Sequence, residues 1–370
     1  MEMNVVLAVF IALVSGCMSN GANAPNQPDN TIARELPLLR GNNRIGAIEG
    51  FNPDNPEETM AAMAARWQEA VDAGMSVARL QIDWPELEPA KNSFDKAALE
   101  SRLEEMKDQG LQTFLLISAF DAGEAVVPED LEETSFDDPE FIQRFKNVMD
   151  WVIPLLVEYD GYLISISNEA EDSFGEVSDL HNEILAACDV ASFNFYGGDF
   201  RGDGSPYYAA NSEDQIISDI RRMLRASGDK NIVIQELGMW SGYTEDYPDS
   251  YPEETYLNSS EETQRRFFEI FFGEMQNHDR MRAAYVFQMV DWSPDTTQIF
   301  SDLLEEEDLD TAFINQFAET LNTMGLLRYH DGTEKAAWDE FIEWVEEFDS
   351  LGSSDFTAPR QDLLSDAIPF

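Results

Sequence analysis

The sequence predicts an α/β fold, a (β/α)8 TIM barrel, and three observations predict it. Apolar strand patterns alternate with amphipathic helix patterns along almost the whole body of the 370-residue chain. Several strand patterns are near-continuous apolar runs, as expected of parallel strands that are buried on both faces. Two of these runs end on a glutamate, Glu169 and Glu236, and barrels of this kind place their functional side chains at the carboxyl ends of the strands.

Repeated units of a strand followed by a helix account for the order of the elements. The predicted strands are residues 44–51, 76–83, 111–119, 162–167, 189–196, 231–236 and 283–289. The predicted helices, most of which lie between these strands, are residues 57–73, 95–109, 139–159, 213–226, 261–278 and 334–348. Because strands joined by helices pair in parallel through right-handed crossovers, we expect one parallel sheet.

A closed barrel of this type has eight strands, one more than the sequence predicts. The interval from Glu169 to Asp189 is too short for a further unit, since a full βα unit takes roughly 30 residues. We therefore expect a degenerate barrel that lacks one βα unit after strand 4. A doubly wound open sheet is the alternative fold, although it gives no reason for two carboxylates at strand ends.

The charge and the composition exclude several classes of partner. The chain has 73 acidic and 23 basic residues and a formal net charge of -50, which repels nucleic acid and anionic membrane surfaces. We interpret the acidic residues as a solvated surface suited to solubility and to salty surroundings. His181, His278 and His330 have no metal-ligand spacing, and no glycine-rich phosphate loop follows a strand. Neither a metal nor a cofactor is expected.

The first residues have the pattern of an export signal. Residues 5–14 form an apolar run that is too short to span a bilayer, and Ser15-Gly16-Cys17 follows it. This pattern resembles a bacterial lipoprotein signal, in which the cysteine becomes the lipid-modified first residue. The segment before the apolar run lacks the usual Lys or Arg, so a signal that is cleaved without lipidation is the alternative.

The signal pattern, the composition and the strand and helix patterns together predict four segments. Residues 1–17 are the signal peptide, residues 18–40 a flexible tether, residues 41–350 the barrel and residues 351–370 a C-terminal tail. The mature protein is then an exported lipoprotein of the bacterial cell envelope, in the periplasm or at the outer membrane. It would contact the membrane only through the lipid on Cys17, and the sequence predicts no oligomeric state.

The motifs at the strand ends resemble those of clan A glycoside hydrolases. Residues 73–89, which include Arg79 and Trp84, resemble the second strand and following loop of that family. Asn168-Glu169 resembles its Asn-Glu pair, Glu236 its nucleophile, and Trp292 the aromatic residue under the sugar. The resemblance covers about residues 44–348, and it is the order and spacing of the motifs that make it specific.

The resemblance implies a retaining glycoside hydrolase that cleaves β-glycosidic bonds of an oligo- or polysaccharide. Glu236 would attack the anomeric carbon while Glu169 protonates the departing oxygen, and Glu169 would then deprotonate the water that releases the sugar. Retention requires the two carboxyl groups to lie roughly 5 to 5.5 Å apart, whereas a separation of about 6.5 to 9.5 Å implies inversion.

The resemblance also implies residues that support the two glutamates. Arg79 would hold Glu236 ionised, unless it forms only a salt bridge at the barrel rim. Asn168 would bind the 2-hydroxyl of the sugar, unless it only ends a strand in a turn. Tyr196 would donate a hydrogen bond to the nucleophile.

Two tryptophans are candidates for sugar platforms. Trp292 and Trp84 could each offer a flat apolar face to a pyranose ring, although plain packing explains such residues equally well.

Two alternative functions stay open. The first alternative function is a catalytically inactive, carbohydrate-binding surface lipoprotein on a decayed TIM barrel. The second is a barrel enzyme of an unrelated reaction class, which the missing phosphate, metal and cofactor signals make less favourable.

Overall fold

The computed structural model describes residues 45–48, 57–121, 124–134, 138–165, 190–198, 211–248, 251, 255–306 and 311–352. The strands are β1 (Ile45–Ile48), β2 (Val77–Asp83), β3 (Gln112–Ser118), β4 (Phe120–Asp121), β5 (Glu124–Ala125), β6 (Leu163–Ser165), β7 (Val190–Tyr196), β8 (Asn231–Gly238) and β9 (Met281–Val286). Strands β4 and β5 form a separate antiparallel pair. The seven strands predicted from the sequence are confirmed within the described residues, with bounds that differ by a few residues.

These seven strands form one parallel sheet. Its order is β6-β3-β2-β1-β9-β8-β7, and every neighbouring pair is parallel. Within the described residues β6 and β7 are the two edges, and residues 166–189, which connect them in the chain, lie outside the described part. The βα unit that the sequence predicts to be missing would follow β6, which is the fourth strand of the sheet in chain order. Its place therefore falls between the two described edges, β6 and β7.

The sheet is curled, since one apolar cluster on its concave face contains side chains from, or directly beside, all seven strands. Its members and the side chains packed on them are Ile48, Val77, Phe114, Tyr162, Val233, Ala283, Tyr285, Leu163, Val190 and Phe287. Gly46 allows this packing, since a Cβ there would lie 2.4 Å from the Val77 carbonyl oxygen and 3.1 Å from Cδ1 of Tyr285. The described part of the chain is thus a seven-stranded half-barrel of the TIM-barrel type.

Helices cover the convex face and continue beyond the last strand. They are α1 (Glu57–Asp72), α2 (Trp84–Leu87), α3 (Lys96–Asp108), α4 (Pro139–Glu158), α5 (Glu213–Ala226), α6 (Glu261–Gln276), α7 (Pro294–Glu306), α8 (Thr311–Thr323) and α9 (Ala336–Gly352). Asp138, Ser212 and Ser260 begin three of them, because each side chain accepts a hydrogen bond from a backbone N–H of the first turn.

The structure differs from the sequence prediction at the C-terminal end of the fold. Helices α7 and α8 were not predicted, because this stretch is rich in Thr, Asp and Glu, and Thr and Asp have weak helix propensity. Helix α9 is longer than predicted, so Leu351 and Gly352 belong to it and not to the tail. In the described ranges, no helix is long and apolar enough to cross a membrane.

A buried ion pair ties the segment after β9 to the start of α9. Nζ of Lys335 lies 2.7 Å from Oδ1 of Asp291, and both side chains are fully buried. Lys335 also donates to the Thr323 carbonyl, while Asp291 accepts from the Gly325 N–H and from the Tyr247 hydroxyl. Burial raises the pKa of Asp291 to about 6 and lowers the pKa of Lys335, so the hydrogen bonds offset a desolvation penalty on both groups.

Replacing Lys335 by Met is expected to lower the free energy of unfolding by about 3 to 5 kcal/mol, because Asp291 is left buried without a cation. The double variant Lys335→Met/Asp291→Asn should recover much of this loss. The amide oxygen of the introduced asparagine can still accept from the Gly325 N–H, and the NH2 group of the same side chain can donate to the Tyr247 hydroxyl oxygen. Urea denaturation measures both changes, and a double variant no more stable than the single one would contradict this account.

Candidate active site

The concave face of the sheet changes from apolar to polar along the strands. Near the amino ends of the strands the inward side chains are Val77, Phe114, Val190 and Val233. Further along the same strands they are Arg79, Gln81, Ser118, Asn194, Tyr196 and Glu236. The polar groups therefore gather at the carboxyl ends of the strands, which is where α/β barrels perform their chemistry.

Glu236 is the centre of this polar region. Its carboxylate is 2% exposed, and Nη2 of Arg79 lies 3.1 Å from its Oε1. The Tyr196 hydroxyl donates to Oε2 over 2.5 Å, and Nδ2 of Asn194 donates to the same oxygen over 3.2 Å. A cation and two neutral donors thus surround the carboxylate, and donors of this kind favour the ionised form of a carboxyl group.

Arg79 is itself held in place by side chains of β2 and β3. The guanidinium is 1% exposed, and Nη2 donates to Oε1 of Gln81 over 3.1 Å. Nε2 of Gln81 donates in turn to Oγ of Ser118 over 3.0 Å. This row of hydrogen bonds crosses from one strand to the next and fixes the direction of the guanidinium toward Glu236.

A β-bulge in β8 determines where Glu236 points. The pairing of β8 with both of its neighbours slips by one residue beside Glu236, and Asn194 pairs with Glu236 itself. Simple alternation from Val233 would turn Glu236 toward the helices. Gln235 is the extra residue of the bulge. It accepts a hydrogen bond from Oγ of Ser192 over 3.1 Å, and the side chains of Gln235 and Ser192 both lie on the concave side. Bulges commonly redirect side chains next to active sites.

The structure brings together three of the residues that the sequence singles out. Arg79, Tyr196 and Glu236 meet on the concave face in direct contact. Asn168 and Glu169 lie outside the described residues, as does Cys17, and their roles stay predictions.

Trp84 does not lie at the site, although the sequence predicts it as a sugar platform. Its side chain is fully buried, and its indole N–H donates to Oε2 of Glu88 over 2.8 Å. Its ring meets the rings of Phe141 and Phe145 at centroid distances of 5.1 and 5.0 Å. Trp84 therefore packs α2 against α4 and has no free face for a sugar, which corrects the expectation of a platform there.

Trp292 is placed differently from Trp84, because it is only half-buried. It follows β9, its backbone N–H donates to the Leu321 carbonyl, and its ring lies 5.1 Å from that of Phe300. Part of its surface is therefore accessible, and its role as a sugar platform stays a prediction.

Asn194 and Phe287 were not predicted from the sequence as residues of the site. Asn194 precedes Tyr196 by two residues on the same strand, so alternation could have placed both side chains on the concave face. The ring of Phe287 lies edge-on to that of Tyr196 at 6.3 Å, on the same face as Tyr285. Its position could be found by continuing the alternation of β9 past the end of the strand.

The part of the chain that the structure describes contains no group of three or more His, Cys, Asp or Glu side chains that could hold a metal ion. The nearest cation to Glu236 in its described contacts is the guanidinium of Arg79. The arrangement is that of a buried, oriented carboxylate, and such a group can act as a nucleophile or as a base.

No protein-family model and no curated protein sequence matches this chain. Solved structures of glycoside hydrolases nevertheless share its fold. A GH5_18 protein from Bifidobacterium longum subsp. longum ATCC 55813, in complex with Manβ1-4GlcNAc, has a TM-score of 0.54 and 12% identity, covering 83% of this chain and 78% of that chain. A GH5_18 protein from Streptomyces cattleya, also with Manβ1-4GlcNAc, has a TM-score of 0.52 and 13% identity, covering 82% and 80%.

An exo-β-1,4-mannosidase from Opitutaceae bacterium strain TAV5 has a TM-score of 0.52 and 14% identity. The match covers 84% of this chain and 60% of that one, so this chain spans less than two thirds of its length. At such identities the likeness is one of fold. The described half-barrel therefore shares its fold with solved structures of glycoside hydrolases.

Arg79→Met is expected to lower the free energy of unfolding by about 3 to 5 kcal/mol, because it leaves the Glu236 carboxylate buried without its cation. The double variant Arg79→Met/Glu236→Gln should lose less, since no charge then lies buried and unpaired. Arg222→Met, at a side chain that is 75% exposed, is the control and should change stability by less than about 0.5 kcal/mol. Guanidinium denaturation measures the free energy of unfolding of each variant. Equal losses in the single and the double variant would argue against the pairing of Arg79 with Glu236.

Proposed function

We propose that this protein is a retaining glycoside hydrolase that cleaves β-glycosidic bonds of an oligo- or polysaccharide. One observation carries the proposal. Glu236 is a buried carboxylate at the carboxyl end of a barrel strand, held by Arg79, Tyr196 and Asn194, in a fold that known glycoside hydrolases share.

Glu236 is the nucleophile in this proposal. Arg79 contacts one carboxylate oxygen, while Tyr196 and Asn194 contact the other, so the carboxylate plane is fixed before substrate arrives. A nucleophile held in this way needs little reorganisation to attack the anomeric carbon. As the glycosyl ester forms, negative charge leaves the carboxylate, and the same donors stabilise that charge again when the ester is hydrolysed.

Glu169 is the general acid and then the general base in the proposed mechanism. It follows β6 in the chain, and β6 lies next to β3 and two strands from the strand that carries Arg79. Parallel strands end at a common edge of the sheet, which supports a position for residue 169 on the edge where Glu236 lies. Asn168 is proposed to bind the 2-hydroxyl of the sugar, and the barrel is proposed to lack one βα unit after β6.

A neutral glycan is the proposed substrate class. A formal net charge of -50 disfavours polyanionic substrates, because the protein repels them over the whole approach. Aryl β-mannosides and β-1,4-linked mannosides are the first candidates to test, because solved structures with this fold were determined with Manβ1-4GlcNAc or are named as exo-β-1,4-mannosidase.

Hydrolysis of a panel of aryl β-glycosides and soluble β-glycans tests the function. We expect turnover by the wild-type protein, and a loss of roughly 10³-fold or more in kcat for Glu236→Gln and for Glu169→Gln. Glu262→Gln, at a side chain that is 70% exposed on α6, is the matched control and should retain activity. The anomer of the first product, followed by NMR, reports retention or inversion.

A folded protein that binds glycans and hydrolyses none of the panel would refute the enzyme. That outcome would favour the second candidate, an inactive carbohydrate-binding lipoprotein. The observation behind this candidate is the seven-stranded sheet, whose described edges β6 and β7 are not paired with each other.

We also propose that the protein is exported and that Cys17 carries the lipid anchor. After expression in a bacterial host with an alkyne-tagged fatty acid, the wild-type protein should be labelled and found in the membrane fraction. Cys17→Ser should be unlabelled and soluble, because the acceptor thiol is removed. Equal labelling of both proteins would contradict lipidation at this residue.

A further inference from the structure

Gln288 is a buried amide whose hydrogen-bonding groups are unused. Its side chain is 4% exposed, and neither Nε2 nor Oε1 has a hydrogen-bond partner in the part of the chain that the structure describes. Buried amides are ordinarily paired, because leaving both the donor and the acceptor without partners costs free energy. Within the described residues, both groups of Gln288 are therefore available to a ligand.

The residue lies at the catalytic edge of the sheet. It follows Phe287, whose backbone N–H donates to the Leu237 carbonyl over 2.9 Å, and Leu237 is the residue after Glu236. The Phe287 ring also contacts the ring of Tyr196. One backbone hydrogen bond thus joins the neighbour of Gln288 to the neighbour of the proposed nucleophile.

The backbone around Gln288 is fixed on its other side as well. The Met289 carbonyl accepts from the N–H groups of Leu326 and Leu327, and Met289 packs in the apolar core. Gln288 is held between two anchored residues, so its position is set before any ligand binds. Preorganised polar groups of this kind add specificity to a binding site.

Gln264 shows what a structural glutamine looks like in the same fold. It is fully buried on α6, and its Nε2 donates to the carbonyl oxygens of Met239, Met324 and Gly325 over 2.8, 3.0 and 3.1 Å. These bonds link α6 to the segments after β8 and α8. Only Oε1 of Gln264 lacks a partner, whereas neither Nε2 nor Oε1 of Gln288 has one among the described residues, so stability gives no reason for the Gln288 amide.

We infer that Gln288 binds two neighbouring hydroxyl groups of the sugar ring at Glu236 and is a specificity-determining residue of the site. The inference rests on the proposed function. An amide presents an N–H donor beside a carbonyl acceptor, so one hydroxyl can accept from Nε2 while the next donates to Oε1. A sugar that lacks either hydroxyl would leave the amide unpaired, and sites of this kind discriminate strongly against such analogues.

The first experiment compares the stability of Gln288→Met with that of Gln264→Met, without sugar. Methionine has a similar volume and no strong hydrogen-bonding group. Gln288→Met should raise Tm by about 2 to 4 °C, because it removes an unpaired buried amide. Gln264→Met should lower Tm, because three carbonyl groups lose their donor. A lower Tm for Gln288→Met would show a structural role and overturn the inference.

The second experiment measures kcat/KM on aryl β-mannosides, with the intact sugar and with versions deoxygenated at one ring position at a time. For Gln288→Met we expect a fall of about 10²-fold on the intact sugar. Wild-type protein should discriminate against deoxygenation at one or two positions, and Gln288→Met should lose this discrimination. A variant that discriminates as the wild type does would overturn the inference.

A binding measurement separates failure of this inference from failure of the proposed function. If the wild-type protein turns over no glycoside, the proposed hydrolase fails. Calorimetry with β-1,4-mannobiose then compares wild-type protein with Gln288→Met, and binding weakened about 10-fold or more would support the contact without catalysis. Equal binding by both proteins, or none by either, would overturn the inference.

Discussion

The contact between Arg79 and Glu236 constrains the shape of the whole sheet. Arg79 is on β2 and Glu236 is on β8, and β1 and β9 lie between these strands. In a flat sheet strands that are three places apart would be about 14 Å from each other, since neighbours are separated by about 4.8 Å. Side chains on such strands meet at 3.1 Å because the sheet curls. The buried charge and the curvature therefore depend on each other, and Gly46 and the apolar side chains at the other end of the strands permit both.

Buried polar groups divide into two kinds in this fold. Lys335, Asp291 and the Nε2 group of Gln264 form hydrogen bonds within the protein, and they tie together the segments that follow β8, β9 and α8. Glu319 does the same for the segment after β8, since it accepts from the Tyr243 N–H and the Thr255 hydroxyl. Gln288 has no such bonds within the described residues. Both polar atoms of the Gln288 amide lack a partner there, and this is the residue that we propose for ligand binding.

Much of the fold could be predicted from the sequence, because buried parallel strands and amphipathic helices leave strong periodic patterns. The convergence of Arg79, Tyr196 and Glu236 was implied by the resemblance of their motifs to those of clan A glycoside hydrolases, and periodicity alone did not predict it. The bulge at Gln235 could not be predicted, since a one-residue slip in pairing depends on both neighbouring strands and leaves no periodic signal in one of them. The burial of Trp84 was equally hidden, because an aromatic residue after a strand has the same pattern whether it faces a cleft or the Phe141 side chain.

The apolar cluster at the amino ends of the strands determines the side from which a ligand can reach Glu236. Tyr285, Phe114 and Val77 are fully buried and fill the concave face below the polar region, so among the described residues they close the amino-terminal side of the sheet. A ligand that reaches Glu236 enters and departs on the side where the strands end. Product leaving by that side uses the route by which substrate arrives, so a small product left behind would compete directly with incoming substrate.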